Sequence, residues 1–320
     1  MELTHWAAAA NLWQAYTALH RFDEAKRVLD QALANGTDPA ALAQNYYFSA
    51  FLRNDADGMQ KQLAMVMGKA GYEDVILSSQ SDTEAYRGRL NQAREYSRRA
   101  TESAQHNGTA EVAATWAANE ALREAEFGNF VEARRSAGSA IRLAPGARYT
   151  RSVAALALAI AADPPQAQEI ANTLAKQFSQ DTIVNSYYLP MVRASIELNR
   201  QNPRKAVELL RGAQEYELGT PNLLGTAALR VLYMRGYALL SAGQSKEAAA
   251  EFQRILDLPG IVLNSPVGPL AHLGLARAYA LQGDTTKARA AYQGFLTLWR
   301  DADPDIPIFK QANAEYARLN

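Results

Sequence analysis

A small residue, alanine in seven of eight places, returns along this chain at Ala25, Met59, Ala93, Ala133, Ala167, Ala206, Ala248 and Ala288, in steps of 34, 34, 40, 34, 39, 42 and 40. A fixed period of this length means that one supersecondary unit is copied, each copy burying its apolar face on the next. The chain is therefore expected to form one elongated repeat array with a continuous core, although 320 residues would otherwise suggest two domains. The small residue marks the place where two helices cross so closely that only a methyl group fits. Met59 departs from the rule, so the second repeat is expected to be the distorted one.

Two copies, LYMRGYALLSAGQSKEAAAEFQRIL (232–256) and HLGLARAYALQGDTTKARAAYQGFL (272–296), align without a gap. In each, a small residue precedes the ladder alanine by twelve and a large ring follows it by four: Gly236, Ala248 and Phe252, then Ala276, Ala288 and Tyr292. The copies and the period resemble tetratricopeptide repeats across nearly the whole chain. The expected fold is an all-α, right-handed α-solenoid of about eight helix pairs over residues 1–306, closed by a C-terminal capping helix over 307–320. In that last segment Ile308, Ala312 and Tyr316 share one side. The first repeat begins within a few residues of Met1, with Trp6 and Trp13 on one helical face and no capping helix before them. Residues preceding Met1 in the natural protein are therefore expected.

Punctuation falls where the repeat requires it. Asp163–Pro164 and Asn202–Pro203 each set a capping side chain before a proline at the first helical position. Gly243 and Gly283 close first helices, and Ser245 and Asp284 are expected to cap the helices that follow. Between Asp257 and Pro269 lie Pro259, Gly260, Pro266, Gly268 and Pro269, a density that predicts a long irregular connection.

Thirty-three basic and 33 acidic residues cancel, with no one-sign stripe to track phosphates, so nucleic acid is not an expected partner. The absence of cysteine removes disulfides, thiolate catalysis and cysteine metal sites. The longest apolar run, Val153 to Ala162, is about half the roughly 20 residues of a membrane helix and reads as a buried helix. His5, His20, His106 and His272 fall in no metal-binding spacing, and His272 reads as a helix-packing residue. No nucleophile elbow or phosphate-binding glycine motif occurs, and the carboxylates Asp23, Glu24, Asp301, Asp303 and Asp305 sit at turns and helix starts, where capping explains them. The expectation is a non-catalytic segment without cofactor or metal.

The stretch from Gly260 to Leu319 also resembles the C-terminal region of bacterial serine/threonine protein kinases with tetratricopeptide tails. FLRNDADGMQ, EDVILSSQSDTEAYRGRL and DTIVNSYYLP are similar to the same tails. The resemblance implies an N-terminal kinase domain, often a membrane segment, and then the array; related arrays follow winged-helix domains. It implies a periplasmic location behind a membrane helix and otherwise a cytoplasmic one.

Arrays of this family line a concave groove with their first helices. The residues around the small partners on those helices are Asn11 and Gln14, then Gln44, Asn45 and Phe48, then Asn119, then Tyr149 and Ser152, then Tyr188 and Ser195, and finally Arg230, Tyr233, Tyr237 and Arg277. Amides pair with an extended peptide backbone and tyrosines add apolar area at low entropic cost, so a protein or peptide is the expected ligand, centred on Tyr188 to Arg277. Taken singly, each of these reads first as a solvated polar residue, and only as a set do they mark a site. The rival reading is a small-molecule sensor inside the superhelix. The lysine and asparagine clamp of chaperone-tail binders is matched only by Asn45, its other places holding Ala10, Gln14, Val75 and Ser79.

Overall fold

The computed structural model describes residues 5–219 and 229–319, and these form helices joined by short turns. In order they are α1 (Trp6–Ala18), α2 (Phe22–Ala34), α3 (Ala43–Leu52), α4 (Ala56–Val66), α5 (Glu73–Tyr86), α6 (Leu90–His106), α7 (Ala110–Glu126), α8 (Phe130–Leu143), α9 (Arg148–Ile160), α10 (Pro164–Gln177), α11 (Leu189–Asn199) and α12 (Pro203–Arg211). After them come α13 (Arg230–Ser241), α14 (Ser245–Leu256), the single turn α15 (Pro259–Val262), α16 (Val267–Leu281), α17 (Thr285–Leu298) and α18 (Pro307–Ala317). Apart from α15 and α18 they pair as eight antiparallel hairpins, an α-solenoid, with a π-helical turn at Val184–Tyr188 leading into α11.

The alanine ladder is the contact between paired helices. Every ladder residue is at most 3% exposed, Met59 included. Between repeats seven and eight the Phe252 ring fills space that two glycines leave open. A Cβ on Gly236 would lie 2.8 Å from Phe252 Cε1, and one on Gly274 would lie 2.5 Å from the same atom. Either would need the ring to move, so the small residue is a packing requirement.

Gly243 and Gly283 have φ of +75° and +76°, the left-handed conformation that closes α13 and α16. Asp163 and Asp284 accept from the backbone of Gln166 and Lys287 and cap α10 and α17. Two expected caps differ. Asn202 turns back to donate to Glu197 Oε2 at 3.0 Å, and Ser245 is the first residue of α14, preceded by Gln244.

The core is not continuous. One large cluster runs from Ala85 to Ala312, a second gathers α3 to α7 around Tyr47 and Trp116, and a third holds α1 and α2 around Trp13 and Leu29. The break falls at α5, whose Asp74, Ser78, Ser79, Gln80, Ser81, Asp82, Thr83 and Glu84 are all buried.

Nor is the body simply elongated, because the C-terminal repeats turn back against the N-terminal ones. The 257–269 connection is a docked strap: α15 packs on the C-terminal end of α1, and α16 touches α5. A Cβ on Gly260 would fall 1.9 Å from the Thr17 carbonyl oxygen, so the strap's backbone reaches α1 as closely as glycine allows. Trp299, fully buried, donates through Nε1 to the Tyr86 carbonyl at 3.1 Å and meets Phe127 edge-on at 5.0 Å. Asp303 donates its N–H to Gly88 O at 3.0 Å and accepts from the Asn91 N–H at 2.7 Å through Oδ2, which caps α6 from more than 200 residues away. Gly88, at φ +74°, has no room for a Cβ beside Ala302 and Trp299. The Ile308 N–H reaches Phe127 O at 3.2 Å, so α18 bridges to the α7–α8 turn as well as covering α16 and α17.

Candidate functional site

Four of the residues expected to line a groove come together. Ser195 on α11, Tyr233 and Tyr237 on α13, and Arg277 on α16 line a cleft of about 490 Å³, whose mouth is framed by the α7–α8 turn and by α18. Aliphatic and aromatic surface comes from Ile160, Leu198, Met234 and Phe130, and polar atoms come from Glu126, Asn199 and Gln311. Phe130 and Tyr237 are 41% and 44% exposed at its mouth.

The charges in the cleft are fixed by partners. Arg277 makes a two-pronged bond to Glu315 of α18, at 2.9 and 3.1 Å, and Tyr292 donates to the same carboxylate at 2.9 Å. Glu126 is held by Arg230 through bonds of 2.7 and 3.1 Å, both side chains being 2% exposed. The Tyr233 ring packs on Phe252 at 6.0 Å, and burial, reinforced by the Glu126 carboxylate, raises its hydroxyl pKa above the ordinary tyrosine range. Tyr233 therefore presents a neutral hydroxyl, a donor and acceptor of hydrogen bonds and not a base.

The other expected residues lie elsewhere. Asn119, Ser152, Tyr188 and Arg230 are buried inside the helix packing. Tyr149 donates to Asn119 Oδ1 at 3.3 Å and meets Tyr188 edge-on at 5.9 Å, while Ser152 bonds the Arg148 carbonyl. Gln44 donates to Ser79 Oγ at 3.0 Å, and Phe48 stacks on Trp13 at 6.3 Å, with Asn45 half-buried beside them. Gln14 is half-buried and Asn11 exposed on α1. The amide-rich end is thus separate from the tyrosine- and arginine-rich end. Sequence reasoning missed Glu126, Asn199, Phe130 and Gln311, because they sit at helix ends or on α18, outside the register expected to face the groove.

A second polar arrangement surrounds α5. The Tyr47 hydroxyl lies 2.7 Å from both Gln80 Oε1 and Thr83 Oγ1, and Gln80 donates to Glu84 at 2.6 Å. Arg123 donates to Asp82 at 3.0 Å and to Ser97 at 2.6 Å. Burial pushes the Asp82 carboxyl up to about 6, against the pull of Arg123 and Arg230 and with help from Glu126. Trp116 donates to Asp74 at 3.0 Å.

His272 is half-buried against Gly294, and burial lowers its pKa. Among the described residues no group of three or more histidine, aspartate and glutamate side chains is placed to hold a metal, and no helix is long and apolar enough to cross a membrane.

Comparison with curated proteins gives no match. Among solved structures, a crystal structure of the tetratricopeptide domain of P58(IPK) is similar over 98% of each chain, at 10% identity and a TM-score of 0.30. The tetratricopeptide-repeat family model matches residues 191–260 and 233–305, a span that takes in α11 to α17. The repeats of this C-terminal part are thus similar to tetratricopeptide repeats, over about a third of the chain.

Proposed function

We propose that the protein is a non-catalytic protein-binding module whose partner contributes an extended peptide segment to the cleft between α11, α13, α16 and α18. The observation that carries this reading is the convergence there of Tyr233, Tyr237 and Arg277 with exposed Phe130, a set of rings and fixed polar groups in one concavity. Rigid tyrosines flanked by hydrogen-bonding groups suit a peptide, because they bury area with little side-chain ordering. A cleft of about 490 Å³ accommodates a few side chains, while the rest of the segment runs over the outer surface.

The test replaces Tyr237 by a photo-crosslinking phenylalanine and exposes the full chain to a peptide library. The reading expects specific adducts that Tyr233→Ala and Arg277→Ala each weaken. If no peptide is captured, or if both substitutions are silent, it fails. Stabilisation by small metabolites without any peptide adduct would transfer the cleft to the sensor reading.

In its finer form the array is the regulatory tail of a larger bacterial signalling protein of the serine/threonine kinase type. Its support is the resemblance of residues 260–319 and of the three shorter segments to such tails. Sequencing the natural reading frame upstream of Met1 tests it: a kinase domain supports it, and a winged-helix domain or a stop codon overturns it.

A further inference from the structure

The closing of the array makes a second cavity, one that no run of neighbouring repeats could line alone. It holds about 720 Å³, and its apolar wall comes from both ends of the chain: Phe51, Leu52 and Tyr86 from repeats two and three, and Leu256, Leu263 and Leu298 from repeats seven and eight and the strap between them. All six are only half-buried, so the closed chain leaves aliphatic and aromatic surface accessible at the seam. Phe51 and Tyr86 meet edge-on at 5.2 Å, which fixes one side of it. Except for Leu263, which also packs on the α1–α2 core, these residues sit on the last turns of α3, α5, α14 and α17. The cavity is therefore built from helix ends, of first and second helices alike.

Its charges depart from those of the chain as a whole. The net charge of the protein is zero, yet three arginines, Arg87, Arg89 and Arg300, line this cavity with a single carboxylate, Asp301. They flank the place where Trp299 and Ala302 seat on Gly88, so closure is what gathers them. Arg89 is neutralised by Glu84. Arg300 and Asp301 stand 3.6 Å apart at 80% and 67% exposure, a contact too solvated to hold either in place. Arg87, half-buried, has no ion pair or side-chain hydrogen bond among the described residues. Its charge is felt at the Tyr86 hydroxyl, whose pKa burial raises and Arg87 pulls partly back. As the C-cap of α5 it sits at the end of the helix dipole that favours a cation, which stabilises its charge and leaves its N–H donors unoccupied.

We propose that this seam binds a small amphipathic anion, an apolar body carrying one carboxylate, sulfonate or phosphate head, with the body against Phe51, Tyr86 and the leucines and the head on Arg87 and Arg300. A guanidinium takes such a head by two parallel hydrogen bonds, and a cavity of this size encloses most of a small ligand. Because the wall belongs to opposite ends of the chain, the ligand binds the closed array and not an opened one, and so holds the ends together. The site shares no residue with the cleft at Tyr237, so it goes beyond the peptide-binding reading.

The probe is anilinonaphthalene sulfonate, titrated by fluorescence against the full chain, with phenylnaphthylamine, the same rings without the sulfonate, as the neutral comparison. The expected result is saturable binding of the sulfonate that Arg87→Gln weakens about tenfold, the effect of losing one charge-assisted hydrogen bond, and a neutral amine bound at least about tenfold more weakly. Tyr237→Ala, in the other cleft, leaves the sulfonate's affinity unchanged. Saturating sulfonate also slows amide exchange at Asp303, whose N–H crosses to Gly88. No saturable binding, an affinity indifferent to Arg87→Gln, a neutral amine bound as tightly, or a site lost with Tyr237→Ala overturns the proposal; unchanged exchange at Asp303 overturns its coupling to closure. If circular dichroism shows that Arg87→Gln has lost its helices, Arg300→Gln, at an exposed side chain, takes its place with the same expected and overturning results. Crosslinking at Tyr237 reports on the peptide cleft, so each reading fails alone.

Discussion

Repeats seven and eight, set beside repeats one to three, show two ways of stabilising the same hairpin unit. In the former, α13, α14 and α16 interlock through Phe252 and two glycines, with most helix contacts between neighbours in sequence. In the latter, the core is split into separate clusters, a polar helix lies at the centre, and the closing contacts come from Gly260, Leu263, Trp299 and Asp303. A regular array stabilises itself locally; here the N-terminal repeats draw part of their stability from the far end of the chain. What the family model recognises is the locally stabilised part.

The comparison is broken most directly at Phe252. Phe252→Ala is expected to cost about 3 to 5 kcal/mol by leaving a cavity between two glycines, with amide exchange in α13 and α16 accelerating before that in α1 to α4. Equal acceleration at both ends, followed by hydrogen exchange, would mean that the ends are not energetically distinct.

Glu126→Ala is the next largest, at about 3 kcal/mol, since it removes the two-pronged carboxylate partner of the buried Arg230 guanidinium. Glu126→Leu combined with Arg230→Met should recover most of that loss in urea denaturation. Failure to recover would show that the pair has a role other than mutual neutralisation.

Asp303→Ala is expected to cost about 1 kcal/mol, the ordinary worth of a helix cap. Its diagnostic is positional: the Asn91 amide loses exchange protection while α17, much nearer in sequence, keeps it.

The smallest effect sharpens the electrostatics of the α5 region. Asp82 has its folded pKa raised from 3.8 to about 6, so the folded chain takes up a proton at higher pH than the unfolded one. Its contribution to stability is full below about pH 4 and is lost as pH rises through about 6. Asp82→Asn should flatten the slope of stability against pH in that window. An unchanged slope would assign the titration to another group.

What the sequence made legible follows the same division. The ladder, the glycines that close α13 and α16, and the caps at Asp163 and Asp284 are local signals, and each was readable within a window of about one repeat. The strap read as a loose connection because proline and glycine report backbone freedom and not the surface that will receive it; Gly260 is there for Thr17. Asp303 read as a local cap and in fact caps α6. Of the cleft, Tyr233, Tyr237, Arg277 and Ser195 were on the expected face, while Glu126 and Gln311 lie outside the register expected to face it. Asn119, Tyr188 and Arg230 carried the right register and were spent on packing, since the solenoid bends far enough to bury them.

The cap at Asp303 also orders events in time. When α6 has been made, as far as His106, its N-terminus has no Asp303 to complete it, and the 197 residues from Asn107 to Asp303 must still be added before the bond to Asn91 forms. At about 5 to 20 residues per second that interval is roughly ten to forty seconds. The third repeat thus waits, uncapped at the start of its second helix, for a residue made long after it.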